Sequence, residues 1–165
     1  MPLAWACISS GTSPRKKNDP GVATSSSAGK WLAAVVPRWK PIAAPLEAPE
    51  AAADAIRAAF ASYADEADGW VKGKGCLMCN TAVEAAALDP GAAKFVDAYI
   101  ARVTAAFRHA LANASAAGEL AGEPDLDELA AFLMMSLIGV VALIRAQADP
   151  VLVRAASRVA TASLD

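Results

Sequence analysis

"LAAFLMMSLIGVVALI" occupies residues 129–144, and its reading decides between a membrane protein and a helical bundle. The run is flanked by Asp127 and Glu128 on one side and Arg145 on the other. A spanning helix needs about 20 apolar residues, and this run holds sixteen. It therefore reads as a helix buried in a bundle or at a dimer interface, with no membrane partner. It is apolar nearly all round, which an ordinary surface helix is not. Ser136 and Gly139 are small enough to let another helix come close.

Both flanks carry helix-start signals. Upstream, Asp125 with Glu128 three residues later resembles a capping box, Asp standing in for Ser or Thr. Downstream, Asp149-Pro150 places a cap before a proline at the first helical position. That predicts one helix over about 125–147 and another over about 150–164, with Val151, Leu152, Ala155, Val159 and Ala162 on its apolar face.

Asp89-Pro90 repeats the signal and opens the longest helix. Val96, Tyr99, Ile100, Val103, Phe107 and Leu111 recur at three- and four-residue steps, and Gly118 is the predicted stop. Before it, "GCLMCNTAVEAAAL" predicts a helix from about Cys76 to Leu88, after the break "DGWVKGKG". Earlier still, "PEAAADAIRAAFASYADEA" predicts a helix with Pro49 in its first turn and Ile56, Phe60 and Tyr63 on one face. No strand pattern appears. The fold class is all-α, an antiparallel bundle of about five helices over residues 46–165. Residues 1–45, rich in Ser, Thr, Gly, Pro and Lys, have no sustained period and are expected to be irregular or disordered.

Composition agrees with this class. Hydrophobic residues make up 56% of the chain but aromatics only 6%, so alanine, the best helix former, supplies much of the apolar material. Residues 1–48 carry six basic and two acidic side chains, the remainder nine and fifteen. An acidic body does not suit phosphate binding by itself. With three cysteines the chain is no disulfide framework, and the N-terminus has no apolar core of a secretory signal, so a cytoplasmic location is expected.

Cys76 and Cys79 form a C-x-x-C at a helix start, where backbone N–H groups favour thiolate. A redox role normally needs a βαβ setting and a structural zinc four ligands. Small buried hydrophobes are the plainer reading; a small redox or metal protein is the lesser alternative. His109 is the single histidine, and no P-loop, dinucleotide fingerprint or catalytic triad appears. No enzyme activity, catalytic residue, metal or cofactor is expected.

Taken in order, "GCLMCNTAVEAAALDP" (75–90), "RVTAAFRHALANASAAGEL" (102–120) and "PDLDELAAFLMMSLIGVVALIRAQAD" (124–149) resemble the C-terminal domain of tetracycline-repressor-type (TetR/AcrR) regulators. The resemblance implies a transcriptional regulator, often a repressor, whose domain binds a small apolar or amphipathic effector and forms a homodimer through its last two long helices. Effector-lining candidates are Phe60, Tyr63, Trp70, Met78, Asn80, Tyr99, Val103, Phe107 and Met134, any of which could instead fill the core. Asn80 could equally make a structural hydrogen bond between helices. Interface candidates are Leu129, Phe132, Leu133, Ser136, Leu137, Val140, Val141 and Ile144, with Leu152, Ala155 and Val159 on the last helix.

Family members read DNA with an N-terminal helix-turn-helix whose second helix enters the major groove. "CISSGTSPRKKNDPGVAT" (7–24) keeps only a faint echo of it. The sequence reading is a truncated or frame-disturbed regulator that contacts DNA only through a missing N-terminal domain. The alternative is a stand-alone helical interaction module forming homo- or heterodimers.

Overall fold

The computed structural model describes residues 42–69, 72–73, 75–84 and 86–165. Among them lie six α-helices and no strand: α1 (Ala43–Leu46), α2 (Ala53–Asp65), α3 (Leu77–Glu84), α4 (Pro90–Ala116), α5 (Leu126–Arg145) and α6 (Pro150–Thr161), closed by a 3₁₀ turn at Ala162–Leu164. This is the all-helical bundle that the periodicity predicts. Its core unites Phe60 and Phe107, whose ring centroids are 6.2 Å apart, with buried Ile56, Val103, Leu111, Leu133, Ile144 and Val153.

Three aspartates start three helices as anticipated. Asp89 accepts from the backbone N–H groups of Gly91 and Ala92, Asp125 from Asp127 and Glu128, and Asp149 from Val151. Each satisfies N–H groups that a helix start leaves without an internal partner. At the far end of α4, Glu119 N–H bonds the Ala114 carbonyl across Gly118, whose φ of +72° permits the tight exit.

Other boundaries shift. The first predicted helix begins at Ala53, not in the turn after Pro49, because the carbonyls of Pro49 and Ala51 turn to accept the Asn113 side-chain amide, each at 2.9 Å. Glu119 then accepts from the Ala53 N–H at 3.2 Å, capping α2 from the end of α4. Helix α3 ends at Glu84 rather than Leu88. Asp89 must be extended (φ −132°, ψ 110°) to cap α4 and to precede a proline, so the chain leaves helical geometry before it.

Helix α1 falls in the stretch where the sequence allows no more than a helical turn or two, because Pro41, Pro45 and Pro49 interrupt it, and Pro45 lies inside it. Its Ala43 and Leu46 are fully buried against the bundle. Directly after it, the Glu47 carboxylate accepts from Arg102 Nε and Nη2, each at 2.7 Å, fastening the segment to α4. The Arg102 guanidinium, by hydrogen bond and charge, holds the Glu47 carboxyl below the usual carboxylate range. A lowered carboxyl pKa contributes stability above the unfolded value, and this is lost as pH falls through the folded one. Arg102→Ala should therefore flatten part of the acid limb of a thermal-stability profile and leave neutral-to-alkaline slopes unchanged, as differential scanning across pH will report.

Helix α5 corrects the length argument. It runs twenty residues because Leu126–Glu128 and Arg145 belong to it, and by length and composition alone it is long enough to cross a membrane. Its inner stripe instead packs against α4 and α6: Ala130, Leu133, Met134, Leu137, Val140, Val141 and Ile144 are all buried within this chain. The assignment to a bundle rests on that packing and not on a shortfall in length.

Candidate functional site

A cavity of about 440 Å³ opens between α3, α4 and α5. Small-molecule sites run from roughly 300 to 1,000 Å³ with mostly apolar walls and a few polar groups. Here α4 supplies Val96, Tyr99 and Ile100, and α5 supplies Met134, Ile138, Val141 and Ala142. Helix α3 closes it with Met78, Cys79 and Ala82, while Val83, 85% exposed, stands at the mouth. Asn80, Glu84 and Arg145 complete the wall, and the last two form an exposed ion pair across the α3–α5 gap.

Of the residues proposed from sequence, Met78, Asn80, Tyr99 and Met134 line this cavity. Phe60, Val103 and Phe107 do not. They sit in the core, with 1%, 0% and 0% exposure: Phe60 is on α2, and Val103 and Phe107 lie on α4 beyond the cavity-lining Val96, Tyr99 and Ile100. Tyr63 is half-buried against the core near the two cysteines and is not part of the lining. Trp70 lies outside the described residues. The periodicity could not have named Ile138, Ala142 or Arg145, because only the approach of α3 to α5 makes them neighbours of Met78.

Gly75 explains how α3 reaches that position. Its φ is +66°, and a Cβ there would lie 3.0 Å from the Arg145 Cβ and 3.1 Å from Asn80 Oδ1. Nearby, Gly73 N–H bonds the Ile144 carbonyl at 3.1 Å, so the turn is docked on the end of α5. Gly75→Ala meets both a left-handed backbone and a crowded wall, and should lower stability by about 2 kcal/mol. Urea unfolding measures this. A change below about 0.5 kcal/mol would mean that the turn repacks freely.

Cys76 directly precedes α3 and is buried, while Cys79, three residues on, is half-buried. The neighbouring Cys79 thiol foremost, with the backbone at Cys79 and Met78 and the Tyr99 hydroxyl, outweighs burial and draws the Cys76 thiol down to about 7. Cys79, beside Cys76 and partly desolvated, is pushed upward. Burial and the adjacent thiolate also raise Tyr99 and Tyr63. Both cysteines are free. No group of three or more His, Cys, Asp or Glu suited to a metal occurs among the described residues.

Away from the cavity lining, α5 and α6 present an apolar outer face. Phe132, Met135, Val151, Leu152 and Val159 are 38%, 63%, 67%, 52% and 72% exposed. Leu129, Ser136 and Ala155 are partly exposed beside them, and a Cβ on Gly139 would meet open space. The remaining interface candidates, Leu133, Leu137, Val140, Val141 and Ile144, point into this chain's own core, so direct contact with another copy is closed to them. Met135 also belongs to the outer face; it was not among the interface candidates, because α5 is apolar on every side and offers no contrast to orient it, while Val151 lies there with the rest of the apolar face expected of the last helix.

A bundle with a side-opening cavity and an apolar face on its last two long helices is an all-α domain with a candidate ligand site. Residues 52–160 match the family described as tetracyclin repressor-like, C-terminal domain, and the chain belongs to that family. It is 31% identical over 105 residues to an uncharacterized HTH-type transcriptional regulator, YezE, of Bacillus subtilis; the match covers 63% of this chain and 54% of that protein. The chain thus spans about half the length of the curated relative it matches. No solved structure matches it.

Proposed function

We propose that the chain is the effector-binding and dimerisation part of a TetR-like transcriptional regulator, acting without catalysis in the cytoplasm. The observation that carries this is the 440 Å³ cavity between α3, α4 and α5. Its apolar walls with Asn80, Glu84 and Arg145 at the edge suit a small apolar or amphipathic molecule. A second copy of the chain covers Phe132, Met135, Leu152 and Val159, which otherwise stand in water.

Helix α5 serves both sites. One stripe of it (Met134, Ile138, Val141, Arg145) lines the cavity, and another (Phe132, Met135, Gly139) faces outward. An effector that shifts this one rigid helix changes both surfaces together, the kind of two-state element that coupling between sites requires. Sequence-specific DNA contact belongs to residues other than the acidic, family-matched 52–160.

The test is Ile138→Trp, which fills the cavity from α5 without adding charge. Binding of an amphipathic fluorophore such as 1-anilinonaphthalene-8-sulfonate, followed by titration, should weaken about tenfold or more, since the indole occupies the space that the dye needs. Unchanged dye affinity in a folded variant removes the cavity from consideration as the effector site.

A further inference from the structure

Two charged side chains stand in the described lining of an otherwise largely apolar cavity, Glu84 at the end of α3 and Arg145 at the end of α5. They are joined by one hydrogen bond, from Arg145 Nη2 to Glu84 Oε1. Arg102, by contrast, meets Glu47 through both Nε and Nη2, the paired geometry that a guanidinium fork offers a carboxylate. Glu84 thus fills only part of the Arg145 fork.

The two partners are held unequally. The Arg145 stem lies against the Gly75 turn, where a Cβ on Gly75 would stand 3.0 Å from the Arg145 Cβ and 3.4 Å from its Cδ. Helix α5 is itself fixed through the core by Leu133, Leu137 and Ile144. Glu84 is the last residue of an eight-residue helix, and its side chain is the more exposed of the pair, 58% against 44%. Turning Glu84 into water costs little, because an exposed ion pair contributes little in the first place. A carboxylate entering the cavity can take its place on Arg145. A cation entering the same space meets a fixed like charge.

We propose that the cavity takes an amphipathic monocarboxylate, an acid with one apolar tail, whose carboxylate replaces that of Glu84 on Arg145. The proposal rests on the reading of the cavity as the effector site and names a class of effector for it. The tail lies along Val96, Ile100, Ile138 and Val141, where each buried methylene adds to affinity. At the mouth it covers Val83, which otherwise stands in water. Glu84 leaves Arg145 as the ligand arrives, so binding cuts the side-chain tie between α3 and α5.

The experiment is calorimetric titration of the full chain with octanoate, 1-octanol and octylammonium at about pH 7, where the acid is ionised. The three probes share one tail, so their differences report the head group, and the dye titration reads the cavity independently. Octanoate is expected to bind about tenfold more tightly than 1-octanol, the gain from a charge-assisted hydrogen bond, with octylammonium the weakest. Ile138→Trp should weaken octanoate as it weakens the dye. In Arg145→Gln the preference for octanoate over 1-octanol should fall to about one. Glu84→Gln removes the competing carboxylate and should tighten octanoate about threefold. If the ion pair only holds α3 closed, both variants move all three probes in the same direction, and that result overturns the proposal. So does 1-octanol or octylammonium binding as tightly as octanoate, or octanoate failing to bind a chain that binds the dye. In each of those cases a dye affinity that falls in Ile138→Trp leaves the cavity reading standing. Dye affinity unchanged in Ile138→Trp, with no octyl probe bound, brings down the cavity reading and the proposal with it.

Discussion

Met135→Glu combined with Leu152→Glu is expected to turn a dimer into a monomer whose helix content is unchanged. Both side chains are more than half exposed in the single chain, at 63% and 52%, so neither change disturbs the core. In a twofold dimer each substitution occurs twice on one self-complementary surface, and four carboxylates meet where apolar groups packed. Like charges brought together in an interface cost several kcal/mol, so the dissociation constant should rise by about a thousandfold. Light scattering coupled to gel filtration reads the mass, and circular dichroism checks the fold. A double variant that stays dimeric at micromolar concentration would place the interface elsewhere.

The second large effect separates core from cavity. Phe107→Ala should destabilise the chain by about 3–5 kcal/mol, the usual cost of removing a buried aromatic ring. Phe107 has no exposed surface and lies against Phe60. A typical domain has only about 5–15 kcal/mol in total, so the urea midpoint should fall steeply. Dye affinity, measured well below that midpoint, should change little, because Phe107 does not reach the cavity wall. Met134→Ala is the informative contrast. Met134 is also buried, at 4% exposure, yet it lines the cavity, so its loss should move binding as well as stability. If Phe107→Ala weakened the dye as much as Met134→Ala, the cavity would have to extend down through the core.

The C-x-x-C pair illustrates how a sequence motif gains or loses meaning through its surroundings. By spacing alone Cys76 and Cys79 are most simply two small apolar residues at a helix start. What the fold adds is the cavity, which opens beside Cys79 and brings Tyr99 of α4 into the same wall. His109 went the other way. Mid-helix and alone, it offered no chemistry in the sequence; in the fold its Nε2 lies 3.0 Å from the Ala48 carbonyl and helps to hold the segment before α2.

The sequence by itself determined the class of fold, the order of the five main helices, and three of their starts. Those properties are local: an aspartate reaches N–H groups two or three residues ahead, and a 3.6-residue period needs no distant partner. It also carried the family, because Gly75, Cys76, Asn80, Asp89 and Pro90 keep their spacing along the chain. Tertiary structure alone decided which apolar residues fill the core, which line the cavity and which remain outside. Helix α5 is apolar on every face, so its pattern points in no direction until α3, α4 and α6 are set against it. Leu133, Met134 and Met135 follow one another in the chain, yet the first is in the core, the second on the cavity wall and the third in water. Consecutive helical residues lie about 100° apart around the axis, and only the neighbours packed at each angle give them different roles.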